Sequence, residues 1–229
     1  MQAKDIMTTD VVTAGPEDEV AEVARLMLER YVSAIPVVNG KLRVLGIVSE
    51  GDLIRRAECG AEDRRSWWLA LLADRTAEFV RAYGTRAEDL MTRDVITVAE
   101  EATLAEIARV LETHRIKRVP VVRDGRLVGI VSRADVLRGL ATLRSAHAEK
   151  PSGEDRQIRD QVLALLKERS DASTRFVSVI VVGGTVYLWG TADSEQDRAA
   201  IRVAAENVAG VKAVHDFLGC LPEVLKGVW

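Results

Sequence analysis

The chain is poor in the residue types that mark secretion, metal binding and covalent catalysis. Its 229 residues hold two cysteines, Cys59 and Cys220, with no CxxC or comparable spacing. Both therefore read as reduced thiols of a cytosolic protein. The three histidines, at 114, 147 and 215, form no metal-ligand spacing. Neither sign of charge dominates: 32 basic against 35 acidic residues leave a net charge of −3, so the molecule as a whole carries no electrostatic footprint for nucleic acid. Long apolar runs are missing too. "FVSVIVV" (176 to 182) falls far short of the ~20 residues that span a bilayer. "MQAKDIMTTD" lacks the apolar core of a secretory signal. There is no Walker A loop, GxGxxG, HExxH or GxSxG, so no residue can be nominated as a nucleophile and an enzyme is not expected. What remains is a cytoplasmic, multi-domain protein with an ordinary content of apolar (48%) and charged (29%) residues.

What is present is a repeat. "KDIMTTDVVTAGPEDEVAEVARLM" (4 to 27) lies over "EDLMTRDVITVAEEATLAEIARVL" (88 to 111) at a constant offset of 84. "IPVV" (35 to 38) then matches "VPVV" (119 to 122). After one residue is lost in the following hairpin, "GIVSEGDLI" (46 to 54) matches "GIVSRADVL" (129 to 137) at an offset of 83. Val20, Val23, Ala24, Met27 and Leu28 follow helical spacing, as do Leu104, Ile107, Ala108 and Leu111. Thr103 and Glu106 supply a capping box for the second of these helices. Short β-branched segments joined at "NGK" and "DGR" read as hairpins. Each copy is thus strand, helix, strand, strand, helix, and two copies are expected to pack together because one alone buries little core.

Between the copies, Trp68, Leu71, Leu72, Phe79 and Val80 fit a helical stripe. It reads either as an inserted core helix or, since adjacent Trp67 and Trp68 cannot both face one narrow stripe, as a surface for self-association. "RSAHAEKPSGED" is linker-like. Beyond it, Ile158, Val162, Leu165 and Leu166 form a helix stripe, and "RFVSVIVVGGTVYLWG" is a hairpin turned at Gly183–Gly184. Ser194 and Asp197 cap a second helix with Ile201, Ala205 and Val208 on its inner face, and "GVKAVHDFLG" closes the unit as a strand.

The repeated "IMTTDVVT", "IPVV" and "GIVSEGDL" resemble the cystathionine-β-synthase (CBS) domain, and two in tandem look like a CBS pair, or Bateman module. "GGTVYLWGTADSEQDRAA" and "VAGVKAVHDFL" resemble the BON domain. The expected class is α+β: two CBS βαββα units over residues 1–56 and 88–143, an inserted helical segment at 57–87, a linker at 144–154, and an αββαβ BON domain at 155–225. By the resemblance, CBS pairs bind AMP, ADP, ATP or S-adenosylmethionine in clefts between the copies, report occupancy to an attached domain or a partner protein, and associate as disc-like homodimers. No catalytic cofactor is implied. BON domains are associated with membrane or phospholipid attachment in exported proteins, a setting this sequence departs from because no export signal is visible.

One question remains open at this stage: why each copy places a serine and an aspartate where a strand turns into a helix. Ser-x-x-Asp before an apolar run is itself a capping box and needs no ligand. Alternatively, a helix N-terminus welcomes phosphate, and an ionised carboxylate one turn in can accept from a ribose diol. The resemblance implies Asp52 and Asp135 for ribose, Ser49 and Ser132 near phosphate, and Thr13 and Thr97 at the adenine pocket. The copies differ in cations: "THRIKR" precedes "VPVV" and Arg133 follows Ser132, whereas "ERYVSA" precedes "IPVV" and Glu50 follows Ser49. The resemblance implies that the residues just ahead of the proline line the clefts, which makes Lys117 and Arg118, with Arg133 after the serine, the phosphate candidates, and one cleft is expected to take a phosphorylated adenosine better than the other. A ligand sensor is the leading expectation. A dimeric adaptor whose BON domain docks to lipid or protein is the alternative, and nucleic-acid binding through "HRIKRVPVVRDGR" is not expected.

Overall fold

The computed structural model describes residues 1–54, 85–146, 150–168 and 176–220. The Trp67–Trp68 stripe and Cys59 lie outside the described residues. The first copy contains α1 (Ala3–Ile6), α2 (Val20–Arg30), β1 (Ala34–Val38), β2 (Val44–Ser49) and a helical start at 50–54. The second contains α3 (Ala87–Leu90), β3 (Val98–Ala99), α4 (Leu104–Thr113), β4 (Arg118–Arg123), β5 (Arg126–Ser132) and α5 (Arg133–Ser145). The last domain is α6 (Gly153–Glu168), β6 (Val177–Val182), β7 (Thr185–Ala192), α7 (Glu195–Glu206) and β8 (Ala213–Cys220).

The mixed α+β class is as expected, with one difference in each copy. The leading strand shrinks to two residues, Val98–Ala99, in the second copy and to a single bridge, Ala14 to Val37, in the first. A four-residue helix stands ahead of each instead. These short helices explain the repeat's first motif, because they are exchanged. Ala3 N–H donates to the Ala102 carbonyl (2.8 Å), and its counterpart Ala87 N–H donates to Asp18 (2.8 Å). Thr8 pairs with Ile130, and Thr92 with Ile47. Each copy's leader thus completes the body of the other copy. The compact units follow this exchange: one is residues 1–8, 99–119 and 130–229, the other 9–98 and 120–129. In the second unit, Ala87, Leu90 and Met91 are buried beside Val23, Ile35 and Val37. Gly46 is required there, since a Cβ would lie 2.3 Å from the Met91 Sδ.

Hairpin chemistry separates the copies. Asp124 (φ 50°) and Gly125 (φ 73°) make the two-residue turn between β4 and β5 in left-handed conformations, the pattern that matches strand twist. In the first copy residues 39–43 make a longer loop, with the Asn39 Oδ1 accepting from the N–H groups of Lys41 and Arg43. A bulge between Val37 and Val38 absorbs the change of register. Helices α2 and α4 both run into a left-handed residue, Tyr31 and Arg115, at corresponding positions. Among the described residues the expected core stripes hold except at two positions: Leu28 is 76% exposed and Leu165 is 39% exposed, each lying at the edge of its helix's buried arc.

The last domain has sheet order β6-β7-β8, with β6 and β7 antiparallel and β7 and β8 parallel. Parallel neighbours need a crossover, and α7, capped by Ser194, provides it. Ile158, Val162, Val179, Leu188, Ile201 and Leu218 form the core under the two helices. Asp155 ties α6 to the hairpin. Its Oδ2 accepts from the Ser152 N–H (2.7 Å) and its Oδ1 from the Gly184 N–H (2.7 Å). Among the described residues no helix is long and apolar enough to cross a membrane.

Two tests follow from this packing. Gly190 sits at φ 126°, and a Cβ there would fall 1.8 Å from the Phe176 carbonyl oxygen across the β6–β7 pair. Gly190→Ala combines backbone strain with overpacking and should cost about 3 kcal/mol or more in urea unfolding of the full chain. A loss below about 1 kcal/mol would show that the hairpin relaxes. Burial opposes the charge on Asp155, but N–H donors from Ser152, Gly184 and Gly183 outweigh it and hold the carboxyl below its ordinary range. Stability from this group is therefore complete above its unfolded pKa, near ~3.9, and is lost as pH falls through the lower folded value. Asp155→Asn should flatten the acid limb of the stability profile below pH ~4, read by denaturant midpoints from pH ~2 to ~6.

Candidate functional site

The second Ser-x-x-Asp turn is a complete capping box, and in the first the aspartate carboxylate holds the serine in the same way. In the second copy Ser132 is the N-cap of α5. The Asp135 Oδ2 accepts from the Ser132 backbone N–H (2.8 Å) and hydroxyl (2.7 Å), while the Asp135 N–H reaches the Ser132 Oγ at 3.4 Å. In the first copy the Asp52 Oδ2 accepts from the Ser49 N–H (2.8 Å) and hydroxyl (2.6 Å). Strand ends, cap and first helical turn follow directly from the sequence pattern, and each cap is worth about 0.5–2 kcal/mol.

The two turns differ in surroundings. Asp135 is buried, at 6% exposure, whereas Asp52 is half-buried. The Asp135 Oδ1 also accepts from Arg138 at 2.8 Å. Arg138 was not among the sequence candidates, although its i+3 spacing from Asp135 is an ordinary helical ion-pair spacing that could have flagged it. Its counterpart in the first copy, Arg55, lies outside the described residues. Three of a carboxylate's roughly four acceptor positions on Asp135 are thus in use. A ribose diol at Oδ1 would have to share or displace Arg138.

The cations fall into distinct places. The Arg133 backbone N–H donates to the Lys117 carbonyl (3.1 Å), which fixes Lys117 beside the start of α5. The same bond joins Glu50 to Ser33 (3.1 Å) in the first copy, where no cation stands. Lys117 is exposed and Arg118 is half-buried at the first position of β4. Arg133 is turned away from the turn: its guanidinium donates to the carbonyls of Ile116 (3.1 Å) and Leu111 (3.4 Å), at the C-terminal end of α4. A helix C-terminus carries unsatisfied carbonyls and partial negative charge, so it competes well for an arginine. Thr13 precedes the Ala14 bridge and is half-buried; Thr97 precedes β3 and is exposed.

The sequence also gave no sign of a second polar group of residues, at the root of the last domain. The Arg156 Nε donates to Asp5 at 2.7 Å. Arg159, 5% exposed, donates from Nε to the Val179 carbonyl (2.9 Å) and from Nη2 to the Met7 carbonyl (2.6 Å). Burial lowers its pKa, opposed by the charges of Asp160, Asp5 and Asp135. The Trp189 indole N–H donates to the hydroxyl of Thr142 at 3.2 Å.

Two family models match the chain. A CBS domain model matches residues 3–58 and 87–142, and a BON domain model matches residues 154–219. An uncharacterized protein of Methanocaldococcus jannaschii is 34% identical over 154 residues, covering 61% of this chain and 91% of that protein. Inosine-5'-monophosphate dehydrogenase of Korarchaeum cryptofilum is 29% identical over 159 residues, covering 69% of this chain but 27% of the enzyme. Among solved structures, CBSX2 in complex with AMP superposes with a TM-score of 0.52 and 28% identity, over 62% of this chain and 98% of that one.

Proposed function

The chain belongs to the CBS-domain family, as a tandem pair followed by a BON domain, and on that basis we propose that it is a non-enzymatic regulatory protein that binds an adenosine compound at its Ser-x-x-Asp turns. The observation that carries this reading is the start of α5: the buried Asp135 carboxylate, the Ser132 hydroxyl and Lys117 held beside the same turn, in a domain pair whose solved relative holds AMP. An ionised acceptor for the ribose is worth roughly 1.5–3 kcal/mol per bond, and a lysine at the helix N-terminus adds charge for a phosphate. AMP, ADP, ATP and S-adenosylmethionine share the adenosine moiety that this set would hold. The second copy is the stronger site, because Lys117 stands beside its turn where the first has Ser33, and the first adds a carboxylate, Glu50, next to its serine. The similarity to the dehydrogenase covers 27% of that enzyme, so its reaction is not carried over, and both aspartates here serve as caps rather than as a paired acid and base.

Self-association belongs to the same reading. Leu137 and Leu140 stand 66% and 48% exposed one turn apart on α5, and Ile54, the counterpart of Leu137, is 58% exposed. Two exposed apolar residues one turn apart on α5 fit a homodimer face.

A thermal-shift titration of the full chain tests the ligand. Saturation at about 100 times Kd should add roughly 2.7 kcal/mol of apparent stability. Asp135→Asn should abolish the response, whereas Ser132→Ala should lower the baseline by about 0.5–2 kcal/mol and leave a response. No shift with any adenosine compound at millimolar concentration would overturn the reading. The dimer face is tested by light scattering: Leu137→Glu together with Leu140→Glu should give the mass of one chain, and a mass equal to that of the unaltered protein would remove this surface from the account.

A further inference from the structure

Helix α5 joins the Ser132–Asp135 turn to the Thr142–Trp189 contact. Asp135 stands in its first turn, Gly139 follows four residues later, and Thr142 three after that, which places all three on one face. This face is buried throughout, with Thr142 at 0% exposure. The helix lies close against its neighbours here, since a Cβ at Gly139 would sit 3.0 Å from the Met1 Sδ and 3.2 Å from the Leu104 Cδ1. At one end the Asp135 carboxylate is held by Ser132 and Arg138. At the other, about 10 Å along the axis, the Thr142 hydroxyl accepts the indole N–H of Trp189 from β7 of the BON domain. A second connection runs beside it. Arg159 of the BON helix α6 is buried and bonded to two backbone carbonyls, and the charges of Asp160, Asp5 and Asp135 all act on it.

We propose that α5 is a coupling element, through which engagement of the Asp135 carboxylate by a ligand alters the hold on the BON domain at Thr142–Trp189 and at Arg159. The inference rests on the adenosine reading for the identity of the ligand, but not for the coupling itself. A close-packed helix transmits a shift of its first turn to its second and third rather than absorbing it. A ligand that competes with Arg138 for the Asp135 Oδ1 changes the position of that turn. It also changes the field felt by Arg159, a buried cation for which solvent screening is weak. Trp189 and Arg159 are positioning residues on the receiving side.

The test is the indole N–H signal of Trp189 in proton–nitrogen correlation spectra of the labelled full chain. The chain has four tryptophans, and Trp189→Phe identifies the signal by deleting it. In the absence of any ligand, Asp135→Asn should displace the Trp189 signal by more than its linewidth. Arg138→Gln, which leaves the Ser132 cap in place, should do the same if the first variant folds poorly. AMP added to the unaltered protein should displace it as well. Thr142→Val should change the AMP dissociation constant by about fivefold or more, since coupling is reciprocal. A Trp189 signal unmoved by both Asp135→Asn and Arg138→Gln overturns the coupling whatever AMP does. So does calorimetric binding of AMP that leaves the signal in place. If the variants displace the signal and AMP does not bind, the coupling stands and the adenosine reading fails.

Discussion

The exchange of leading segments is the constraint on which the remaining structure depends. Ala3, Ile6 and Met7 are buried with the second copy, while Ala87, Leu90 and Met91 are buried with the first. Neither copy can fill its core from its own residues alone, so a lone copy would be left with unpaired backbone groups and an open apolar face. The same exchange brings Asp5 and the Met7 carbonyl to the place where α6 of the BON domain meets them. The last domain is therefore fastened to the second copy through a piece of the first.

Polar burial in this molecule is concentrated where elements must hold a position relative to one another. Asp5, Asp135, Thr142, Asp155 and Arg159 are all buried, and each has a hydrogen-bond partner. An apolar contact tolerates sliding, whereas a buried arginine on two carbonyls does not, because any displacement leaves a charge desolvated and unpaired. The BON domain is thus held by directional bonds, the kind that respond when the geometry at one end changes.

The Ser-x-x-Asp turns show why capping and ligand binding need not compete. The cap uses the Asp135 Oδ2, and the other oxygen faces Arg138. A carboxylate fixed by its own backbone is preorganised, so the proposed adenosine ligand would meet an acceptor that has already lost its rotamer freedom. The difference between the copies lies around this shared device: Lys117 stands beside one turn, and Ser33 occupies the corresponding place beside the other.

Much of this was legible in the sequence, for physical reasons that can be named. Helices α4 and α7, their caps at Thr103 and Ser194, the Asp124–Gly125 and Gly183–Gly184 turns, and the two-fold repeat all rest on local chemistry, which a chain carries in its neighbouring residues. The four-residue helices α1 and α3 were missed because so short an element has no hydrophobic period to read. Leu28 and Leu165 fit a helical stripe yet face outward, since spacing sets a face but not the width of the arc that is covered. The sequence marked Arg133 as a cation near a turn, and the end of α4 decided where that cation went. The exchange of leaders and the seat of Arg159 and Trp189 were set by tertiary structure alone. These are contacts between residues far apart in the chain or choices among rival partners, and only the folded arrangement determines which partner is within reach.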